Sequence, residues 1–196
     1  MGEVVLFTGA GFSGGCISKS NQPLPTGCQL RRLIWPHAFP SEPFSESESL
    51  GDIFAVAVRQ DRSGLQATLD EALTIDIGKV PDWYHSYMRM PWYRVYTLNF
   101  DNFWEIAARS DPDARVLTPV SATTQETLPP DTTAAVLHLN GQLSDFPNIT
   151  MSSQQYGERQ AGAEKWYQQL VADLFGHPIV FVGTELNEPQ IGRAHV

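Results

Sequence analysis

The chain has 196 residues, a formal net charge of −9 and 42% hydrophobic residues. This length and apolar content suffice for one substantial core, so we expect a single domain over residues 1–196. The negative charge argues against direct binding of nucleic acid, because an acidic surface repels a polyanion. The two cysteines cannot form a four-thiolate zinc site, and no apolar run reaches the roughly 20 residues that a membrane span requires. We therefore expect a cytoplasmic protein with no metal and no membrane contact.

Apolar runs and helical spacing alternate along the chain. Short apolar runs predict buried strands at residues 3–8, 93–98, 134–139 and 179–182. Helical spacing predicts helices at residues 29–35, 53–57, 65–73, 82–90, 101–109 and 163–175. Strands that are apolar on both faces and alternate with helices predict an α/β fold, with a Rossmann-like parallel sheet covered by helices on both faces. The helices before the second strand predict a helical insertion at about residues 28–91.

The last predicted strand ends at Gly183, and only a short tail to Val196 follows it. A doubly wound sheet normally continues with a further helix and strand. We therefore expect the chain to be the N-terminal part of a longer protein. The alternative is a natural chain with a frayed tail.

The segment TGAGFSGG follows the first predicted strand and has glycines at positions 9, 11 and 14. This G-x-G-x-x-G spacing lets backbone amides approach a pyrophosphate, although the same glycines could simply make a tight turn. A dehydrogenase would need an acidic residue about 20 positions on, at the end of a second strand. The following segment SKSNQPLPTGCQL contains no acidic residue, which makes hydride transfer the weaker interpretation. Ser13 could donate to a phosphate oxygen or cap a helix.

Polar side chains also lie at or just beyond the ends of the second and third predicted strands. Asn99 and Asp101 are two residues apart, so they should project toward the same pocket. Asp101 would also suit an N-cap, and Asn99 a turn. His138 and Asn140 should face one side by the same alternation. Four tryptophans lie among apolar helical residues and are expected to fill the core: Trp83, Trp92, Trp104 and Trp166.

Four segments together resemble the sirtuin superfamily, in particular the sirtuin-like domains of bacterial anti-phage defence proteins that degrade NAD. They are TGAGFSGG with LPTGCQLRRLI, MPWYRVYTLNFDNFWEIA, VLHLNGQLSDFPNITMSSQQYG and IVFVGTELNEP, in the order that the family shows. The second segment, with its T-x-N-x-D motif, is the most specific. The resemblance spans nearly the whole chain and implies a sirtuin-like fold with NAD as substrate.

The resemblance also implies roles for individual residues. Asn99 would contact the nicotinamide ribose or position water, and Asp101 would hold the carboxamide. His138 would be the second catalytic residue. The remaining residues expected to bind the nucleotide are Gly9, Ala10, Gly11, Phe12, Ser13, Asn140, Gly141, Gly183, Thr184 and Glu185.

One position departs from the family pattern. The catalytic histidine of the family usually stands immediately before a glycine, whereas Asn140 precedes Gly141 here and the nearest histidine is His138. His138 could still activate water from one step deeper in the strand. Alternatively, it is a core histidine bonded to a backbone carbonyl, and Asn140 fills the polar role without a general base.

Three functions follow from these alternatives. The first is an NAD glycohydrolase that uses water and depletes NAD in anti-phage defence. The second is a catalytically silent module that binds NAD or ADP-ribose and regulates an attached region, and Asn140 favours it. The third, a protein deacylase, is disfavoured because the cysteines of the family's zinc ribbon are missing. By resemblance, partners would be further domains of the same polypeptide, a defence-complex partner or a second copy of the chain.

Overall fold

The computed structural model describes residues 2–115, 117–124, 127, 134–161 and 165–185. Its centre is a parallel sheet in the order β3-β4-β2-β1-β5. The strands are β1 (Val5–Thr8), β2 (Arg94–Thr97), β3 (Leu117–Ser121), β4 (Ala134–His138) and β5 (Ile179–Val182). The α/β fold with a Rossmann-like parallel sheet is therefore confirmed.

Helices connect the strands. They are α1 (Gly27–Ala38), α2 (Leu50–Gln60), α3 (Arg62–Leu73), α4 (His85–Arg89), α5 (Phe103–Ser110), α6 (Ser153–Ala161) and α7 (Lys165–Gly176), with 3₁₀ turns at Asp82–Tyr84 and Leu143–Asp145. Within the described ranges, no helix is long and apolar enough to cross a membrane.

Both faces of the sheet are buried along β1, β2 and β4, which explains why these strands are mostly apolar on both sides. Strand β5 at one edge is more exposed. Leu6, Val95 and Val136 contribute to the core that includes helices α1 to α5. The intervening residues of the same strands, such as Phe7 and Leu137, contribute to a second core with Trp166 and Leu170 of α7. Because side chains alternate along a strand, each strand serves both cores.

The segment between β1 and β2 carries α1 to α4. Thr26 begins α1 with a reciprocal cap: its hydroxyl accepts from the backbone of Gln29, whose side chain accepts from the backbone of Thr26. Ser49 and Asp61 cap α2 and α3 in a similar way, each through a side-chain oxygen. These local signals explain why three helices begin where they do. Helix α1 packs against both α2 and α3.

One strand and one α-helix were not predicted, and one expectation was wrong. Strand β3 was not predicted because Pro119 interrupts its apolar run. The proline is tolerated because β3 is an edge strand of the sheet. Helix α6 is polar and contains Gly157, so it has no clear apolar stripe. Trp83 is 56% exposed rather than buried, because Tyr84 takes the inward position of the 3₁₀ turn and Trp83 stacks on it. The other three tryptophans named above are buried.

The register of the sheet brings four strand ends into one row. Thr8 pairs with Thr97 on one side and Val182 on the other, and Thr97 pairs with His138. The segments that follow β1, β2, β4 and β5 therefore begin side by side at the carboxyl ends of the strands. Open α/β sheets bind ligands at the carboxyl ends of their strands.

Candidate functional site

The turn after β1 packs directly on the turn after β5. The backbone N–H of Gly11 donates to the carbonyl of Gly183 at 2.9 Å, and that of Gly9 donates to Val182 at 3.0 Å. Gly183 has φ of +68°, and a Cβ there would lie 2.1 Å from the backbone nitrogen of Phe12. Only glycine fits this approach, because a side chain would need both strained backbone and space that another backbone occupies.

A cavity of about 820 Å³ opens beside these turns. Its walls include Ala10, Gly11 and Gly14 from the first turn, Gly183, Thr184 and Glu185 from the second, and Pro23, Leu24, Pro25, Thr26, Gly27 and Gln29 from the start of the helical segment. The cavity falls within the size range of pockets for small molecules. Its wall of small residues suits a ligand that must lie close to backbone amides.

The side chain of Phe12 lies in the core beneath the glycine turn. It is buried between aromatic rings, with ring centroids 5.1 to 5.4 Å from Tyr84, Tyr87, Phe103 and Trp104. This cluster anchors the glycine turn to the core beneath it. Phe12 therefore supports the turn, and its ring does not form a contact surface for a ligand.

Ser13, Asn99 and Asp101 form one buried polar cluster. The Ser13 hydroxyl donates to Asp101 Oδ2 at 2.6 Å, and Asn99 Nδ2 donates to Ser13 Oγ at 3.0 Å. All three residues line a smaller cavity of about 100 Å³, which shares Ala10, Leu24, Pro25 and Gly27 with the larger one. The structure thus brings together predicted residues that are 86 and 88 positions apart in the chain.

Asp101 bonds to the beginning of α5 without being its N-cap residue, which is Asn102 and not Asp101 as expected. Its Oδ1 accepts from the backbone N–H of Phe103 at 3.1 Å, at the beginning of α5, while Oδ2 accepts from Ser13. Burial raises the pKa of Asp101, and these two hydrogen bonds oppose that shift. The helix and the serine therefore fix the carboxyl group at the wall of the smaller cavity. In its ionised form, it would place a negative charge beside a bound ligand.

Apolar side chains complete the wall of the smaller cavity. Leu30, Leu50, Leu73 and Leu98 lie around the polar cluster. An apolar wall with three convergent polar groups suits a flat ring that carries a polar substituent. Sequence reasoning missed these leucines, because they come from three helices and one strand end and their spacing shows only that they belong to a core.

His138 lies beneath this cluster. Its side chain is 0% exposed, so no part of the imidazole is open to the cavity. Nδ1 lies 3.0 Å from the backbone carbonyl of Asn99, and Nε2 lies 3.4 Å from Oε1 of Glu105 on α5. The sequence did not single out Glu105. In the sequence, Glu105 is marked only by its position four residues after Asp101, and this spacing does not show that His138 of β4 lies next to it.

Asn140 and Gly141 are also buried at the end of β4. Asn140 Nδ2 donates to the carbonyl of Leu98 at 3.3 Å, and the backbone carbonyl of Asn140 accepts from Thr150 at 2.8 Å. Strand β4 ends at His138, so the alternation of side chains does not extend to Asn140. The two side chains nevertheless both reach backbone carbonyls of the segment after β2.

Across the described residues, no three side chains of His, Cys, Asp or Glu come together as a metal site would require. Cys16 is buried, and burial, with the nearby charge of Asp101, raises its pKa to about 12. Cys28 is exposed.

These features define a class: an α/β protein with a glycine turn and a polar cluster at the carboxyl edge of a Rossmann-like sheet. A model of the SIR2-like domain family matches residues 94–194, which is half of the chain, and the protein belongs to that family. The matched region contains Asn99, Asp101 and His138, and it begins after the glycine turn. SIR2-like domains use NAD. No curated protein matches the chain.

Proposed function

We propose that the protein is an NAD glycohydrolase, which cleaves NAD to nicotinamide and ADP-ribose. The observation that supports this most directly is the buried cluster of Ser13, Asn99 and Asp101, which lines a small cavity. This cavity shares wall residues with the larger cavity at the glycine turns. A dinucleotide has two parts of unequal size. The small cavity suits a nicotinamide ring, and the large one suits the pyrophosphate and adenosine.

In this proposal the two glycine turns hold the phosphates and the adenosine. Ala10 and Gly11 line the large cavity and let the pyrophosphate lie close to the backbone, whereas the amides of Gly9 and Gly11 already donate to the end of β5 and the turn after it and fix the shape of the loop. Gly183 to Glu185 border the same cavity, and Glu185 supplies a carboxylate that can accept from ribose hydroxyls. Holding the distant part of the substrate helps to orient the bond that breaks.

Cleavage breaks the bond between the ribose C1′ and the nicotinamide nitrogen. The bonding electron pair stays with that nitrogen, which neutralises the pyridinium ring, and positive charge develops on the ribose. A water oxygen then bonds to C1′ and releases one proton. We propose that Asn99 orients the ribose or this water, and that Asp101 holds the carboxamide and stabilises positive charge.

We further propose, on the resemblance alone, that this activity depletes NAD in bacterial anti-phage defence. In that role the chain would act with further domains of the same polypeptide, with a defence-complex partner or with a second copy of itself. Such an arrangement would let a trigger control the activity. The activity should therefore be tested with the longest polypeptide that can be produced, because a domain separated from its trigger would be inactive in such an arrangement.

A silent module that binds NAD or ADP-ribose is the second candidate. The observation that favours it is the burial of His138 away from the cavity, with Asn140 in the position where the family usually has its histidine. Neither residue then offers an accessible general base. A protein deacylase receives less support, since the two cysteines do not supply the zinc ligands of classical sirtuins.

Nicotinamide release from NAD, followed over time by chromatography without an acylated peptide, tests the proposal. We expect release by the parent and a loss of roughly 10²- to 10³-fold in Asn99→Ala, which removes a transition-state contact. Asn148→Ala changes an exposed asparagine in the same chemical way and should retain full activity. Calorimetric titration with ADP-ribose accompanies each assay.

The outcomes separate the candidates. Saturable ADP-ribose binding by the parent without nicotinamide release would favour the silent module. Absence of both would contradict the NAD site itself. Equal release by parent and Asn99→Ala would remove the polar cluster from the mechanism.

A further inference from the structure

Two neighbouring side chains near the site, His138 and Glu105, each have one buried polar atom without a hydrogen bond. Among the residues that the structure describes, neither His138 Nε2 nor Glu105 Oε2 has a hydrogen-bond partner. His138 Nε2 lies 3.4 Å from the other oxygen of Glu105, and the Glu105 side chain is 19% exposed. A buried ionisable pair is costly unless it is well compensated, so its place directly beneath Asn99 requires an explanation.

The surroundings of His138 decide where its protons are. Nδ1 faces the carbonyl of Asn99 at 3.0 Å, and a carbonyl can only accept, so Nδ1 carries a proton. Nε2 faces a carboxyl group. If both Nε2 and Glu105 lacked a proton, a lone pair would face a negative charge inside the protein. One further proton must therefore be shared by the pair.

The charges around His138 favour holding that proton on the imidazole. Burial alone lowers the pKa of His138, but the adjacent Glu105 carboxylate, the Asn99 carbonyl and the Asp101 carboxylate together raise it above its ordinary value. Glu105 lies on α5, and Asp101 immediately precedes that helix. A charged imidazole then connects α5 to the end of β2 through one hydrogen bond and one ion pair.

We propose that Glu105 and His138 are positioning residues, which hold the backbone of Asn99 so that its amide group stays directed at Ser13 and the small cavity. His138 acts through Asn99 and does not itself contact the substrate. Loss of the shared proton leaves Nε2 and the carboxylate in an unfavourable contact that only movement of one of them relieves. Asn99 then loses its fixed support. For its effect on turnover, this inference rests on the proposed NAD cleavage.

The first test uses the full chain without NAD. The two imidazole nitrogens of His138 are followed by ¹⁵N nuclear magnetic resonance as the pH is varied, in the parent, in Glu105→Gln and in Glu158→Gln. We expect a charged imidazole at neutral pH in the parent, and a neutral imidazole with its proton on Nδ1 in Glu105→Gln. Glu158 is an exposed glutamate on α6, and its substitution should leave the titration of His138 unchanged.

A neutral His138 at neutral pH in the parent, or a titration that Glu105→Gln leaves unchanged, would overturn the proton-sharing pair. Because this arm needs no substrate, it decides the question even if the protein releases no nicotinamide. Glu105→Gln keeps the shape of the side chain, and a folded variant is confirmed by its melting temperature. If that variant fails to fold, Glu105→Asp replaces it, with a longer distance to Nε2 and an expected pKa of His138 below that of the parent.

The second test measures the pH profile of nicotinamide release. In the parent, kcat should fall on the alkaline side as the pair loses its proton, whereas KM changes little. Glu105→Gln should remove that alkaline limb, because its side-chain amide can donate to the unprotonated Nε2 and needs no shared proton. Nδ1 still donates to the carbonyl of Asn99 in this variant, so kcat at neutral pH should stay close to that of the parent. Glu158→Gln should reproduce the parent profile. A lower kcat in Glu105→Gln with an unchanged pH profile would show a merely structural role and contradict the proposal.

Discussion

The close contact between the two glycine turns predicts that replacing Gly183 by alanine will destabilise the fold. Alanine at this position would have to adopt φ of +68°, and its Cβ would meet the backbone nitrogen of Phe12 at 2.1 Å and the backbone carbon of Gly11 at 2.6 Å. Backbone atoms cannot rotate away as the end of a side chain can. The whole approach of the two turns must therefore widen.

Substitutions at two other glycines separate the cost of the left-handed backbone from the cost of the steric clash. Gly78 has φ of +88° with nothing within 4 Å of its would-be Cβ, so Gly78→Ala introduces backbone strain without a clash. Gly157 lies inside α6 with nothing within 4 Å and ordinary helical backbone, so Gly157→Ala introduces neither. Subtracting the effect of Gly78→Ala from that of Gly183→Ala isolates the cost of the close approach.

The expected magnitudes follow from these differences. Gly78→Ala should lose about 1 to 2 kcal/mol of folding free energy from the left-handed backbone. Gly183→Ala should lose about 1 to 3 kcal/mol more, as overpacked sites do. Gly157→Ala should gain about 0.5 to 1 kcal/mol, because alanine favours a helix interior. For a chain of this size, each kcal/mol shifts the melting temperature by roughly 2 to 4 °C.

Thermal unfolding by circular dichroism measures all three variants. We expect the order Gly157→Ala, parent, Gly78→Ala and Gly183→Ala, from highest to lowest melting temperature. Calorimetric titration should also show that ADP-ribose binding weakens in Gly183→Ala and not in the other two. Equal melting temperatures for Gly183→Ala and Gly78→Ala would refute the steric argument, and retained affinity would remove this turn from the ligand site.

Three further predictions concern residues outside that turn. Asp173→Asn should cost about 3 to 5 kcal/mol in a denaturant titration, because it leaves the guanidinium of Arg94 buried without its charged partner. In the folded protein, one thiol should react with Ellman's reagent near pH 8 and two after denaturation, since Cys16 is buried with a pKa of about 12 and Cys28 is exposed. Hydrogen bonds from an arginine lower the pKa of Asp111, so its contribution to stability should be present above about pH 4 and disappear as the pH falls through its lower folded-state value.

Each of these has a matched comparison. Asp70 forms an exposed pair with Lys19, so Asp70→Asn should cost less than about 1 kcal/mol, and a similar loss in Asp173→Asn would contradict the buried-pair argument. Cys28→Ser should leave no reactive thiol in the folded state; a remaining fast thiol would mean that Cys16 is accessible. Asp111→Asn should flatten the acid limb of the stability curve, and a curve parallel to that of the parent would exclude the proposed linkage.

Local patterns were sufficient for most of the fold. A buried parallel strand is apolar on both faces, so β1, β2, β4 and β5 can be identified from composition alone. The caps at Thr26 and Ser49 act within three residues, and the helices that they begin lie close to their predicted positions. Strand β3 lacks such a signal because Pro119 weakens its apolar pattern. An edge strand tolerates a proline, but only the assembled sheet shows that β3 is at the edge.

The tryptophans show where local patterns stop. Trp83 and Tyr84 are neighbours with similar apolar character, and the 3₁₀ turn directs the tyrosine inward and leaves the tryptophan exposed. Composition cannot choose between adjacent aromatic residues. The turn geometry and the space beneath it make that choice.

For the candidate site, the sequence by itself determined which residues follow the strand ends, and tertiary structure decided which of them meet. Ser13 and Asp101 are 88 positions apart, and only the register of β1 against β2 brings their side chains to 2.6 Å. The orientation of His138 toward Glu105 likewise depends on α5 packing on the face of the sheet that His138 shares with Val136. Short-range spacing specifies strands and turns because those interactions are local. Hydrogen bonds between distant segments depend on how the sheet is assembled, and no spacing in the chain encodes that by itself.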